Sequence, residues 1–316
     1  MNWIQIKAEL LRSFPRDARY LIGVSGGRDS VALLHWLISL GYKRLIICHL
    51  NHQLRGRSSD ADALFVEKLN EKYGVGFERG AANVRALAKK KKMSIETAAR
   101  EARYSFFAKA AKRHRCHTMF LAHHADDLVE TFLLNLIRGA GPTGLAGMRE
   151  VSTRHFDGVD LTIVRPLLSI WRSEIDKYVR EYDLKFREDA TNKNLAATRN
   201  RIRNRIIPYL EKILGRNIRQ NIWRTAMIAA EEEKWIDNEV PDSTSADLSV
   251  PKLRALPIAL QRRAILKWLR EQNISEVGFE VIERVRSLAD REAPFAKVNL
   301  PQDRHARRRA GRIFIE

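Results

Sequence analysis

The sequence predicts an α/β protein, a parallel sheet flanked by helices, followed by a second, smaller, mostly helical C-terminal domain. Strand-like and helix-like segments alternate through the first half, and the strand-like ones are almost continuously apolar, as strands covered on both faces are. The string "GVSGGRDS" (Gly23–Ser30) joins the first such strand to the first helix. Beyond residue 215 the text turns helical, which sets the expected domains at 1–215 and 216–316.

In order, "RYLIGVS" (Arg19–Ser25) reads as a strand, "DSVALLHWLISLG" as a helix and "RLIICHL" (Arg44–Leu50) as a second strand. The polar "NHQLRGRSSD" leads into a helix beginning near Ser59, with Ser59 or Asp60 as its cap. "VGFERG" makes a short third strand, and a helix covers roughly Ser94 to Arg113, where Ser94 and Thr97 form an imperfect capping box. "HTMFLAHH" (His117–His124) is a further buried strand and "DDLVETFLLNLIRG" the helix after it. "NIRQNIWRTAMIAAEEEKWIDNEV" and "IALQRRAILKWLREQ" are helices of the second domain, interrupted by "VPDSTSADLSVP".

Among 316 residues, 57 Lys and Arg against 38 Asp and Glu leave a net charge of +19. That excess points to a polyanionic partner, RNA or DNA rather than a membrane; charge serving solubility alone is the competing reading. Two cysteines, Cys48 and Cys116, exclude a disulfide scaffold and a four-cysteine zinc site. "MNWIQIKAELLRSF" lacks the features of a signal peptide, and no apolar run is long enough to span a bilayer, so a cytoplasmic location is expected.

The opening glycine string lacks the G-K-[ST] of a Walker loop. Ser25, Gly26 and Gly27 can instead turn backbone N–H groups into a concave anion site ahead of a helix start. Ser30 offers a hydroxyl, and Asp29, which would repel phosphate directly, suits Mg²⁺. In "AHHADDLVET" (Ala122–Thr131), Asp126, Asp127 and Glu130 share a helical face. Zinc or iron binding, a helix-start role, and a carboxylate site for Mg²⁺ or an ammonium group all remain open for it. "GAGPTG" (Gly139–Gly144) follows a helix and contains Pro142, so it is not a dinucleotide fingerprint; a flexible loop at the catalytic mouth is expected. "HRCH" (His114–His117) reads as a helix end beside a strand. "RNRIRNR" spreads arginines 199, 201, 203 and 205 around a helix, and "KKKK" (Lys89–Lys92) and "RHARRRAGR" (Arg304–Arg312) are the densest basic tracts.

S-G-G-x-D-S after a first parallel strand resembles the signature of the PP-loop ATP pyrophosphatases. "HLNHQLRG", "ETAAREARY", "AHHADDLVET", "RGAGPTGLAGM", "RPLL" and "EDATNKN…TRNRIRNRIIPYL" follow in the order found in tRNA(Ile)-lysidine synthases, over about residues 19 to 210. The resemblance implies ATP as substrate, bound by Ser25, Gly26, Gly27, Arg28, Asp29 and Ser30, with Mg²⁺ on Asp29 and Asp127. It implies Asp29, Asp126, Asp127 and Glu130 as catalytic residues, and Asn51, Arg100, Arg103, His123, Arg201 and Arg205 as substrate-binding ones. The implied partners are a tRNA(Ile) with a CAU anticodon and free L-lysine; a homodimer is compatible with the sequence. The implied reaction transfers AMP to O2 of the wobble cytidine, retains pyrophosphate in the glycine loop, and lets the lysine ε-amine displace AMP at C2. A PP-loop tRNA thiolase is the alternative. At a reference pKa of about 10.4 the amine lies about 4.6 kcal/mol from its neutral form at pH 7, so a carboxylate must take its proton.

Overall fold

A computed structural model describes residues 3–54, 56–187, 198–240, 246–274 and 277–316, with the side chains of 57–59 left aside. The chain divides into two compact units, residues 1–131 with 148–223 and residues 132–147 with 224–316.

The first unit opens with α1 (Trp3–Ser13), β1 (Tyr20–Gly23), α2 (Arg28–Ser39), β2 (Leu45–Asn51), α3 (Arg57–Tyr73) and β3 (Gly76–Ala81). It continues with α4 (Val84–Lys91), α5 (Ile95–His114), β4 (Thr118–Phe120) and α6 (Ala125–Ile137), whose second half belongs to the other unit, as does α7 (Pro142–Leu145). β5 (Val151–Phe156), β6 (Val159–Val164), α8 (Arg172–Glu181), α9 (Thr198–Arg201), a π-helical turn over Ile202–Ile206 and α10 (Ile207–Leu214) complete it. The six strands lie in the order β3-β2-β1-β4-β6-β5, parallel except for β5, which is antiparallel to β6.

Alternation along β1 builds two cores from one strand. Ile22 packs with Leu33 and Leu37 of α2, Ile175 of α8 and Leu10 of α1. Its neighbour Leu21 packs on the other face with Phe107, Ala108 and Ala111 of α5. Each fully buried aliphatic side chain of this kind contributes about 1.5–3 kcal/mol. β1 pairs with β2 on one side and with β4 on the other. The chain order reverses there, so the carboxyl ends of β1 and β4 flank a switch-point crevice.

Local details depart from the sequence expectations in instructive ways. β4 stops at Phe120, because the chain bends away to start α6, with Ala125 N donating to Ile170 O at 2.9 Å. α3 starts at Gly56, which offers no side-chain cap; Asp60 instead accepts from Asn51 Nδ2 at 3.0 Å, and the Ser59 side chain lies outside the described atoms. Ser94 does cap α5, accepting from Thr97 N at 3.1 Å. α1, α4, α8 and the β5–β6 hairpin had no counterpart in the sequence reading.

The second unit contains most of α11 (Arg219–Glu239), then β7 (Leu248–Ser249), α12 (Val250–Ala255), α13 (Ile258–Glu271) and α14 (Phe279–Ser287). β8 (Lys297–Asn299), β9 (His305–Arg309) and β10 (Arg312–Ile315) follow, giving an antiparallel sheet of order β7-β10-β9-β8. Trp268, Ile265, Leu269, Val285 and Ile313 form its core, and Trp268 Nε1 donates to Ala246 O at 2.8 Å. Helices predominate as expected, but the sheet was not foreseen: the "RHARRRAGR" tract supplies β9 and its turn, and within β9 only Ala306 is buried. The "GAGPTG" string is not the loop expected. Its Pro142–Leu145 segment is a helical turn, held by Asn135 Nδ2 donating to Gly144 O at 2.7 Å and Arg263 Nη1 donating to Thr143 Oγ1 at 2.8 Å. Among the described residues no helix is long and apolar enough to cross a membrane.

Candidate active site

The glycine string forms the turn from β1 into α2. Gly23 stands where a Cβ would meet Leu121 Cδ2 at 2.6 Å and Phe107 Cζ at 3.3 Å, so a larger residue there would have to displace the Leu121 side chain. Gly26 has φ +87°, a conformation side-chain-bearing residues rarely adopt. Its carbonyl accepts from Arg187 N at 3.0 Å, and the Arg187 guanidinium pairs with Asp62 of α3. Ser25 and Ser30 close the turn on itself: Ser25 N donates to Ser30 Oγ at 3.2 Å, Gly27 N to Ser25 Oγ at 3.2 Å, and Ser30 Oγ to Gly27 O at 2.8 Å. Gly27 then caps α2, whose first N–H groups have no intrahelical acceptor and carry the positive end of the helix dipole. The turn is therefore held by hydrogen bonds within itself.

Facing it, the segment after β4 supplies a buried imidazole among acids. His124 is 1% exposed, and its ring lies 3.7 Å from Asp29, 3.7 Å from Asp126 and 3.5 Å from Asp127. Burial alone would lower its pKa; the surrounding aspartates overcome this and raise it. Burial likewise works to raise the Asp29 carboxyl, but the His124 ring and Arg172 hold it below its ordinary value. Asp127 caps α6 by accepting from His124 N at 3.1 Å, and despite burial its pKa falls to about 2 beside His124, His123, Arg199 and Arg203. Glu130, one turn on, is 1% exposed and receives Arg203 in a two-point contact, with Nη2 to Oε2 at 3.0 Å. Burial still pushes its pKa up against that pairing. A cavity of about 950 Å³ opens beside these acids, lined by Asp126, Glu130, Arg172, Asp176, Arg205 and Arg219 among others.

A family model for the PP-loop domain matches residues 3–210, and one for the TilS substrate binding domain matches residues 248–314. The tRNA(Ile)-lysidine synthase of Chlorobaculum tepidum is 35% identical over 285 residues, 86% of this chain and 83% of that protein. The chain belongs to the tRNA(Ile)-lysidine synthase family. The Geobacter sulfurreducens member is 38% identical over 90% of this chain, which spans 62% of that longer protein, and the Bacillus subtilis member is 33% identical, with 63% of its length spanned. The chain thus spans a little over three fifths of the length of those two relatives. Among solved structures, the U34-tRNA thiolase NcsA from Methanococcus maripaludis superposes with a TM-score of 0.55 at 16% identity, over 77% of this chain and 81% of that one, a likeness of fold.

Within this family member, Asp29, Asp126, Asp127 and Glu130 come together, with Arg205 on the wall of the same cavity. His123 lies behind them and is held neutral, its pKa lowered to about 3 by burial and by Arg165, Arg103 and Arg199. The side chain of Arg28 turns from the loop to pair with Asp176 and cover Phe186, which leaves its backbone N–H for a ligand. Asn51 is 6% exposed and occupied by Asp60 and Gln53 N, so it ties β2 to α3. Arg201 is exposed and bonded to Thr198 at 3.0 Å, while Arg100 covers the Tyr104 ring. "EDATNKN" (188–194) lies outside the described residues.

Sequence reasoning missed His124, Arg199 and Arg203 as site residues. The "HHADD" string was a usable signal for His124, since an imidazole within three residues of two aspartates is placed to interact with them. Arg199 and Arg203 needed the tertiary structure, because α9 and the π turn decide which arginines of "RNRIRNR" reach Glu130. Among the described residues no group of three or more His, Cys, Asp and Glu is arranged to hold a metal ion. Asp29 and Asp127 do fit Mg²⁺. Both are oxygen donors with lowered pKa, Asp29 Oδ1 is buried without a hydrogen-bond partner, and Mg²⁺ commonly takes one or two carboxylates beside phosphate oxygens.

Proposed function

We propose that the chain ligates free L-lysine to C2 of the wobble cytidine in the CAU anticodon of tRNA(Ile), with ATP converted to AMP and pyrophosphate through an adenylated cytidine. The observation carrying this reading is the glycine turn with Asp29 at its end, gathered with Asp126 and Asp127 around His124 at the sheet's switch point, in a member of that family. The N–H groups at the start of α2, from Arg28 on, receive the leaving diphosphate. Asp29 and Asp127 hold Mg²⁺, which when bound neutralises phosphate charge. His124 keeps both carboxylates ionised and in place.

The amine needs a carboxylate not already committed. Glu130 is taken by Arg203 and Arg199, and Asp127 by Arg203 and His124. Asp126 accepts from Arg172 N at 3.0 Å, but its side-chain cations, His124 at 3.7 Å and Arg219 at 3.8 Å, stand farther off than those of Asp127 and Glu130; it lines the cavity and is the acid that receives the lysine ammonium and takes its proton. Residues 1–215 carry this chemistry and 216–316 contribute to tRNA binding. A cytoplasmic location follows from the substrate. The thiolase alternative gains nothing from Cys48 and Cys116, both buried with their thiol pKa values pushed up by burial, the opposite of a reactive thiolate. The test is mass spectrometry of unmodified tRNA(Ile) after incubation with ATP and each amino acid. A lysine-dependent adduct on the anticodon cytidine is expected; sulfur incorporation, or no adduct with any amino acid, overturns the reading.

A further inference from the structure

Arg154 has no task in the reaction above. It is exposed on β5, the one strand that runs against the rest of its sheet. Its guanidinium lies 5.6 Å from the centroid of the Tyr104 ring, and Arg100 of α5 lies over the same ring at 5.3 Å. Tyr104 is only 5% exposed, so the ring is a fixed platform. Arg165, just after β6, is 3% exposed; its Nη1 donates to Arg149 O at 2.8 Å and Ser152 Oγ at 3.0 Å, and its Nε is buried without an acceptor. Arg103, almost a turn along α5 from Arg100, is half-buried beside Arg100 and Arg199.

Elsewhere the chain matches such arginines with acids, as in Arg113 with Glu78, Arg262 and Arg286 with Glu283, and Arg263 with Glu233. Among the described residues no carboxylate forms an ion pair with Arg100, Arg103, Arg154 or Arg165, which instead face one another. Guanidinium groups gathered without an acid repel, and their planar forks match the oxygens of a phosphate two at a time. His123 is electrostatically coupled to both groups, to Arg103 and Arg165 and to Asp127 of the acid site.

We propose that Arg154 and Arg100, sharing the Tyr104 platform, bind backbone phosphate of the RNA whose base enters the acid site, with Arg103 and Arg165 supplying positive potential behind them. This rests on the reading that the substrate is an RNA; the surface on α5 and β5 and the role of Arg154 go beyond it. The competing source of phosphate is the triphosphate of ATP.

The experiment measures binding of an anticodon stem-loop RNA to the full chain across about 50 to 200 mM salt. It compares wild type with Arg154→Ala, Arg154→Lys and, for charge loss elsewhere on α5, Lys109→Ala. Arg154→Ala is expected to weaken binding about tenfold and to reduce the log–log salt slope by about 1. Arg154→Lys should restore the slope with only part of the affinity, and the KM for ATP should stay within about twofold, since a one-phosphate contact is all that is removed. If Arg154→Ala behaves as Lys109→Ala does, or if the KM for ATP rises while RNA binding holds, the proposal is overturned. Because binding is read without catalysis, a chain that binds RNA through Arg154 yet forms no lysine adduct would sink the reaction and leave the surface standing.

Discussion

At the scale of single residues, the site is organised by which charge has company. Asp29 is held ionised beside His124 and has one carboxylate oxygen with no partner, so it is the acid best placed toward a triphosphate. Asp29→Ala should reduce tRNA-dependent ATP–pyrophosphate exchange by at least about a hundredfold, the scale of losing one electrostatic contact to a transition state; near-normal exchange would remove it from the mechanism. His52 gives a pH prediction away from those acids. Burial, Arg103 and His49 press its pKa down to about 4, against about 6.5 in the unfolded chain. Between those values the unfolded state binds a proton that the folded state refuses, so the stabilisation is present above about pH 6.5 and lost as pH falls toward 4. Melting temperatures at pH 7 and pH 5 should therefore differ more in wild type than in His52→Gln, and an unchanged difference would contradict that environment for the ring.

At the scale of elements, α6 and the stretch through α9 into the π turn form one electrostatic unit. Glu130 is 1% exposed, and its carboxylate is tolerated because Arg203 meets it at two points and Arg199 stands at 3.3 Å. Arg203→Met removes the two-point contact and leaves the buried acid with Arg199 alone at 3.3 Å, and should cost about 3–5 kcal/mol in urea unfolding. Glu130→Gln with Arg203→Met should recover part of that loss, since the buried charge is then gone. A cost under about 1 kcal/mol for Arg203→Met, the range of an exposed pair, would show the contact to be superficial.

At the scale of the whole molecule, the +19 charge is the dominant feature, and most of it lies in the first compact unit. Affinity for tRNA should fall steeply with salt, with a log–log slope steeper than about −3 if several phosphates are neutralised. Filter-binding or anisotropy measurements across salt would check this, and a flat profile would mean that the basic tracts do not meet phosphate.

The alternating apolar segments and the glycine turn were legible in the sequence because both are local: strand burial appears as an apolar run, and a turn that needs φ +87° appears as glycine. Ser94 as the cap of α5 was legible for the same reason. The amphipathic helices α1, α4 and α8 were passed over, and so was the β-sheet of the second unit, because β9 buries one alanine among arginines and carries no strand signal. By itself the sequence determined the parallel sheet, the glycine turn after β1 and the acids of "HHADD", since backbone geometry and helix periodicity act over a few residues. Only the tertiary structure decided that His124 stands among three aspartates, that Arg203 rather than Arg201 meets Glu130, and that Asp126 is left facing the cavity. Those pairings join residues up to 95 positions apart, such as His124 with Asp29, and their strength depends on burial, which no local stretch of chain encodes.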